Sequence, residues 1–133
     1  MLTPKGSYSS RDILKYDKNN LIYCKEYHNS IEHWYRYDKN NNMIYYKDTL
    51  GVERVWEFDE NNRRIYYKNE YKKENWYEYD EHNREIYYKN SDGKEKWCKF
   101  DKNNKRIDIT EQKLKQKLYL NIKRSNRFEI MDI

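Results

Sequence analysis

Alanine is absent from this 133-residue chain, and glycine (three residues), cysteine (two) and proline (one) are scarce. No apolar run is long enough to span a bilayer, which excludes a transmembrane helix. The opening stretch, MLTPKGSYSS, has no apolar core of the kind a secretory signal peptide needs, so a cytoplasmic protein is expected. Cys24 and Cys98 are not spaced for metal or redox chemistry. Both fall in positions otherwise held by large apolar or aromatic residues, so they are expected as buried free thiols. His28, His33 and His82 occupy unrelated places, and no Gly-rich phosphate loop, His/Cys cluster or nucleophile–base pairing is visible. Neither an enzyme nor a cofactor nor a metal is expected. The missing alanine, with heavy use of Lys, Asn, Tyr and Ile, is what an AT-rich genome produces, in a bacterium or a mobile element.

What is present is charge and aromatic rings. Charged residues make up 38% of the chain and the mean hydropathy is -1.49, values that ordinarily point to disorder. Disordered chains lack aromatics, however, and this one has 16 Tyr, 4 Trp and 3 Phe. Such a chain can bury large rings while staying polar on average, so it is expected to fold.

The rings recur with a fixed period. Asp17, Asp38, Asp59, Asp80 and Asp101 stand 21 residues apart, each preceded by Tyr or Phe. Three residues after them come Asn20, Asn41, Asn62, Asn83 and Asn104; the first copy is one residue short after its Asn pair. Self-similarity at fixed spacing outranks other signals. Each copy holds two short aromatic and β-branched runs divided by turn residues, which is strand, turn, strand, turn. Asp-x-Asn-Asn suits a tight turn, because Asp bonds backbone two residues on and Asn tolerates the left-handed region. The second turn falls at Gly51 and Gly93. The expected fold is all-β: an antiparallel meander of about five 21-residue hairpins in a curved, twisted sheet, ending in a short helical segment. One domain is expected over 1–133: a lead-in (1–12), the hairpins (13–109) and a basic segment (110–133).

An odd repeat turns every side chain over from copy to copy, so one extra residue per copy must absorb the difference. The second Asn of each pair, or the residue after it, is the expected bulge. One face then collects Tyr77, Tyr79, Ile86, Tyr88 and their equivalents as the core. The other carries Trp76, Glu78, Glu85, Tyr87 and Lys89. Expected cross-strand partners are Lys47 with Glu53, Lys68 with Glu74, Lys89 with Glu95, Arg64 with Glu78, Glu85 with Lys99, Tyr66 with Trp76, and Tyr87 with Trp97.

Charge divides sharply. Residues 1–101 hold 19 basic and 19 acidic side chains, whereas residues 102–133 hold nine and four. In that last segment Thr110 is the expected cap of a helix with Leu114, Leu118 and Ile122 on one face. RFEIMDI alternates and is expected as a closing strand.

YDKNNNMIYYKDTLG and YDEHNREIYYKNSDG resemble the YD repeats of Rhs-type proteins over about residues 13–109. In that family such repeats build a shell around a toxin; five copies are too few to enclose anything. The resemblance implies a small stand-alone product of a phage or mobile element. WYRYDKNNNM also resembles choline-binding cell-wall repeats, although scarce glycine and the missing signal peptide oppose a glycan-binding role.

Exposed aromatics beside Lys and Arg can anchor a partner or stack bases. The candidate aromatic stripe is Trp34, Tyr66, Trp76, Tyr87 and Trp97; burial under the tail or against a second subunit would equally explain it. The candidate basic surface is Lys113, Lys115, Lys117, Lys123, Arg124 and Arg127. The expected function is non-enzymatic binding of another macromolecule, in the context of a mobile-element inhibitor of a host or defence protein. Nucleic-acid binding is the alternative.

Overall fold

The computed structural model describes residues 8–131, with side chains as far as residue 126. Ten strands form one antiparallel sheet, each paired with its neighbours in sequence. They are β1 (Ile13–Asp17), β2 (Asn20–Lys25), β3 (Glu32–Tyr37), β4 (Met43–Asp48), β5 (Glu53–Phe58), β6 (Arg64–Lys68), β7 (Glu74–Tyr79), β8 (Glu85–Asn90), β9 (Glu95–Phe100) and β10 (Arg106–Asp108). The sheet stays open, with β1 and β10 at its edges. The helix α1 (Thr110–Met131) follows.

Turn chemistry fixes the corners. The Asp38 carboxylate accepts the backbone N–H groups of Asn40 (2.8 Å) and Asn42 (3.0 Å). Asp59, Asp80 and Asp101 repeat this two and four residues on. Asn41, Asn62, Asn83 and Asn104 close these loops with φ between 60° and 64°. The opposite corners use the same device: Asp48, Asn69 and Asn90 each accept two backbone N–H groups. Gly51, Lys72 and Gly93 take the left-handed position there.

The first corner differs, and the short first copy explains it. Asp17 pairs directly with Asn20, and Lys18 and Asn19 both have positive φ. This is a two-residue turn. Asn20 is therefore not a turn residue; it is buried at the start of β2 and stands where Asn42 stands in the next hairpin. The missing residue returns at Glu26–Ile31, a loop one residue longer than its equivalents.

The bulge lies further on than the spacing predicts. Register shifts fall between Lys15 and Tyr16, Arg36 and Tyr37, Glu57 and Phe58, and Glu78 and Tyr79. The unpaired residues opposite are Ile22, Ile44, Ile65 and Ile86. The left-handed Asn closes the loop, and the isoleucine three positions beyond takes up the odd residue. The β9–β10 hairpin pairs without a shift. One consequence corrects the expected core. Leu21 and Met43 join the Tyr35 cluster, whereas Ile22 and Ile44 line a groove with Trp34.

Lys47–Glu53, Lys68–Glu74, Lys89–Glu95, Tyr66–Trp76 and Tyr87–Trp97 are all directly opposite, as expected. Arg64–Glu78 and Glu85–Lys99 are not, because those ladders end at Tyr66/Trp76 and Tyr87/Trp97. Arg64 instead lies over the rings of Tyr67 and Tyr77.

The core is small and off-centre. Leu21, Cys24 and Tyr35 are buried, with Tyr8, Leu14, Tyr37, Met43 and Tyr46 packed against them. Cys98 is buried separately, and both cysteines are free thiols as expected. Tyr77 and Tyr88, expected as core, pack against each other at a tilt and stay half-buried. The sheet is one layer thick there, and no second layer covers them among the described residues.

The C-terminal segment departs from expectation twice. Thr110 does not cap α1; its hydroxyl accepts the Trp97 N–H (3.0 Å) and donates to the Trp97 carbonyl (3.2 Å). It continues the β9 ladder by side chain, while Asp108 accepts the Thr110 N–H. Residues 127–131 of the expected closing strand are helical, and residues 132–133 lie outside the described residues.

Candidate functional site

Residues directly opposite in an antiparallel pair share a face. Following the register sorts the rings into two sets. One face, here the Tyr face, carries the tilted ring pairs Tyr35–Tyr46, Trp56–Tyr67 and Tyr77–Tyr88. The other, the Trp face, carries Tyr23–Trp34 (centroids 5.8 Å apart), Tyr66–Trp76 (5.7 Å) and Tyr87–Trp97 (5.0 Å).

All five residues of the expected stripe lie on the Trp face, but not as one cluster. Each repeat supplies a cross-strand row. In the first, Lys15, Tyr23, Trp34, Lys47 and Glu53 stand opposite one another on β1–β5. In the third, Glu57, Tyr66, Trp76, Lys89 and Glu95 do so on β5–β9. Val55 holds the Trp position of the second row, beside Tyr45. Trp34 on β3 therefore stands four strands from Trp76 on β7, the next Trp of this face, and is 36% exposed.

The hydroxyls on this face are anchored. Tyr23 donates to Glu32 (2.6 Å), Tyr66 to Glu74 (2.7 Å) and Tyr87 to Glu95 (2.9 Å). Partial burial, then the bonded carboxylate, pushes Tyr66 and Tyr87 up to about 12. Lys89 lies 5.7 Å over Trp76, Lys15 5.1 Å over Tyr23, and Arg36 5.1 Å over Tyr45. The rings are thus held in place, with cations beside them.

An open groove of about 960 Å³ crosses this face at β2–β4. Ile22, Trp34, Arg36, Ile44, Tyr45 and Lys47 line it, with corner residues including Lys18 and Lys39.

The corner aspartates are structural. Partial burial raises the carboxyls of Asp38, Asp59 and Asp80, but the backbone N–H bonds outweigh it and hold all three below the ordinary carboxyl value. Arg63 and Arg84 reach back to Asp59 and Asp80 (2.7 and 2.8 Å). A link that the repeat spacing did not reveal joins successive corners. Asn20 donates to Asn41, Asn42 to Asn62, Arg63 to Asn83, and Arg84 to Asn104.

Sequence reading also missed a charge pattern. Two residues before each corner Asp stand Lys15, Arg36, Glu57, Glu78 and Lys99. One residue after it stand Lys18, Lys39, Glu60, Glu81 and Lys102. All ten are exposed. The sheet is basic at its first two corners, acidic at the next two and basic at the last. Comparing columns by sign rather than by residue type exposes it.

On the Tyr face, His33 Nε2 lies 2.9 Å from Glu26 and Nδ1 2.8 Å from the Tyr46 hydroxyl, which donates to Asp48. The chain ties β3 and β4 together. Among the described residues no three His, Cys, Asp or Glu side chains converge as a metal ion requires.

The basic surface lies on α1. Lys113, Lys115, Lys117, Lys123 and Arg124 are exposed, while the Arg127 side chain lies outside the described residues. Lys117 bonds Glu95 (2.8 Å), Lys115 bonds Glu111, and Lys123 lies over Tyr119. Among the described residues the helix touches only β9 of the sheet and does not roof the Trp face. Leu114, Leu118 and Ile122 stay exposed. No helix among the described residues is long and apolar enough to cross a membrane.

No protein-family model matches this chain, and comparison with curated proteins finds no match.

Proposed function

We propose that this protein is a non-enzymatic binding protein whose Trp face docks another protein. One observation carries the reading: paired rings stand half-exposed on a sheet one layer thick, fixed by tyrosine–glutamate bonds and covered by nothing among the described residues. Rigid, preorganised Trp and Tyr side chains are what docking surfaces concentrate, because they contribute contact area at low entropic cost.

The pattern of sign favours a protein over nucleic acid as the occupant of this face. A phosphate backbone tracking the rings would meet Glu57, Glu60, Glu78 and Glu81. On α1, three of the candidate cations already have partners within the chain. Inhibition of a host or defence protein is the context we propose; its support is the YD-type repeat pattern and not the geometry.

The test compares capture by the immobilised full chain with capture by Trp34→Ala/Trp76→Ala. Proteins held by the wild type and lost by the variant support the reading. Identical capture by both overturns it.

A further inference from the structure

Exposure is not shared evenly along the Trp face. Ile22 and Trp34 are each 36% exposed, whereas Trp76 and Trp97 are half-buried. Both exposed side chains line the groove across β2–β4, where Ile44 and Tyr45 complete an apolar floor. The odd residue of each hairpin builds this floor, since Ile22 and Ile44 are the ones left unpaired at the register shifts.

Four cations surround it. Arg36 lies two residues from Trp34 on the same face of β3 and rests over the Tyr45 ring, 5.1 Å from its centroid. Lys47 stands directly opposite Trp34 on β4, with Glu53 on its other side. Lys18 and Lys39 project from the adjoining corners. Among the described residues none of these four is in an ion pair, whereas Arg54, Arg63, Lys73 and Arg84 all are. Two carboxylates also line the groove. Asp38 is taken up by the N–H groups of its own loop, with Lys39 a lesser electrostatic partner. Asp17 is exposed at the first corner. The lining keeps an excess of positive charge beside its apolar floor.

We infer that this groove takes an acidic segment of the partner protein, with an apolar or aromatic side chain seated on Ile22, Trp34 and Ile44 and carboxylates on the surrounding cations. The inference rests on the proposed reading of the Trp face as a protein-docking surface, and it names the part that docks and the chemistry it selects. Charge complementarity argues for this occupant. A neutral apolar segment would leave four cations unanswered, and a purely acidic one would leave Ile22 and Trp34 uncovered. A free nucleotide asks for a cleft that encloses about 70–90% of its surface, and a groove on one side of a one-layer sheet leaves the outer side open. A nucleic-acid strand would run on from the groove to Glu57 and Glu60, then to Glu78 and Glu81. Those four carboxylates also bound the site, because the next two hairpins repel what the first two attract.

Panning a random dodecapeptide library on the immobilised full chain reads the preference directly. Enriched peptides are expected to carry Asp and Glu around an aromatic or aliphatic residue, and to be lost on Trp34→Ala. The most enriched peptide, labelled with fluorescein, then gives dissociation constants by anisotropy. Arg36→Glu/Lys39→Glu is expected to raise the constant at least about tenfold, as is raising salt from about 50 to about 500 mM, because the charges are exposed. Glu57→Lys/Glu60→Lys is expected not to weaken binding. Far-ultraviolet circular dichroism checks that the sheet persists in each variant. Enrichment without acidic bias, or a peptide held equally by Arg36→Glu/Lys39→Glu, overturns the inference. Displacement of the peptide by oligo-dT or by ATP, at a concentration below the peptide's own dissociation constant, overturns it in favour of a nucleic-acid or nucleotide site. No enrichment over Trp34→Ala, with protein capture that still depends on Trp76, overturns the inference and leaves the docking reading standing; capture that depends on neither Trp overturns both.

Discussion

Single residues carry this fold because each corner from Asp38 onward is built by one acceptor side chain and one left-handed residue. Lys72 occupies a position that Gly51 and Gly93 fill elsewhere, with φ 61°. Left-handed backbone costs an ordinary residue about 1–2 kcal/mol. Lys72→Gly is therefore expected to stabilise the chain by about 1 kcal/mol in urea unfolding. The converse holds at Gly51, where an added Cβ meets nothing within 4 Å, so the whole penalty of Gly51→Ala is conformational. Asp38→Ala removes the acceptor of two backbone N–H groups and is expected to destabilise by about 1–2 kcal/mol. Asp38→Asn should lose less, since Asn69 and Asn90 make the same bonds at the opposite corners. The pH dependence follows from the shifts. Asp38, Asp59 and Asp80 are held below the ordinary carboxyl value of about 3.9. Their contribution is intact above that value and is lost as pH falls through the folded values, so acid unfolding should begin only below about pH 4. Tyr66 and Tyr87 run the other way. Their stabilisation is complete below about 10, where unfolded tyrosine titrates, and is lost as pH rises through about 12. Tyrosinate absorbance should show a fraction of the tyrosines titrating late in the folded chain and together at about 10 in urea.

Among the elements, every strand pairs only with its sequence neighbours, so stability is close to a sum of hairpins and their junctions. The hairpins are not equal. Leu21, Cys24 and Tyr35 are buried at β2–β3, whereas later hairpins keep their rings half-exposed. Amide hydrogen exchange is expected to be slowest in β2–β4 and to quicken toward β10, a three-residue strand. Leu21→Ala should destabilise by about 2–5 kcal/mol, and Ile86→Ala by clearly less. Were protection uniform along the array, the single off-centre core would not be what holds it. The helix is a separate matter. Thr110 and Lys117 fasten it to β9, and Leu114, Leu118 and Ile122 stay exposed. Ending the chain after Ile109 is expected to leave the near-ultraviolet spectrum of the Trp/Tyr pairs almost unchanged.

At the scale of the whole molecule, the chain is a ribbon of rings with no second layer among its described residues. A single sheet with two aromatic faces leaves apolar area that a second layer ordinarily covers. The charge blocks belong to this scale too, because four exposed cations beside four exposed carboxylates mean little within one hairpin. They acquire a direction only when ten strands lie in order on one surface.

The amino-acid sequence alone determined the repeat, the ten strands, their meander and most of their register. Those features are local: a turn is decided within four or five residues by Asp, Asn and Gly, and a meander follows once each turn joins neighbours. Five of the seven expected cross-strand pairs formed for that reason. The tertiary structure decided what is not local. It set the odd residue at Ile22, Ile44, Ile65 and Ile86, because the ladder and not the loop chose where pairing slips. That choice moved Leu21 and Met43 into the core and opened the groove beside Trp34. It turned Thr110 from a helix cap into a strand partner, since the open Trp97 backbone was the nearer claim on its hydroxyl. Among the described residues it also left the Trp face bare, which the spacing of rings could not show, because whether a surface is covered depends on elements distant in the chain.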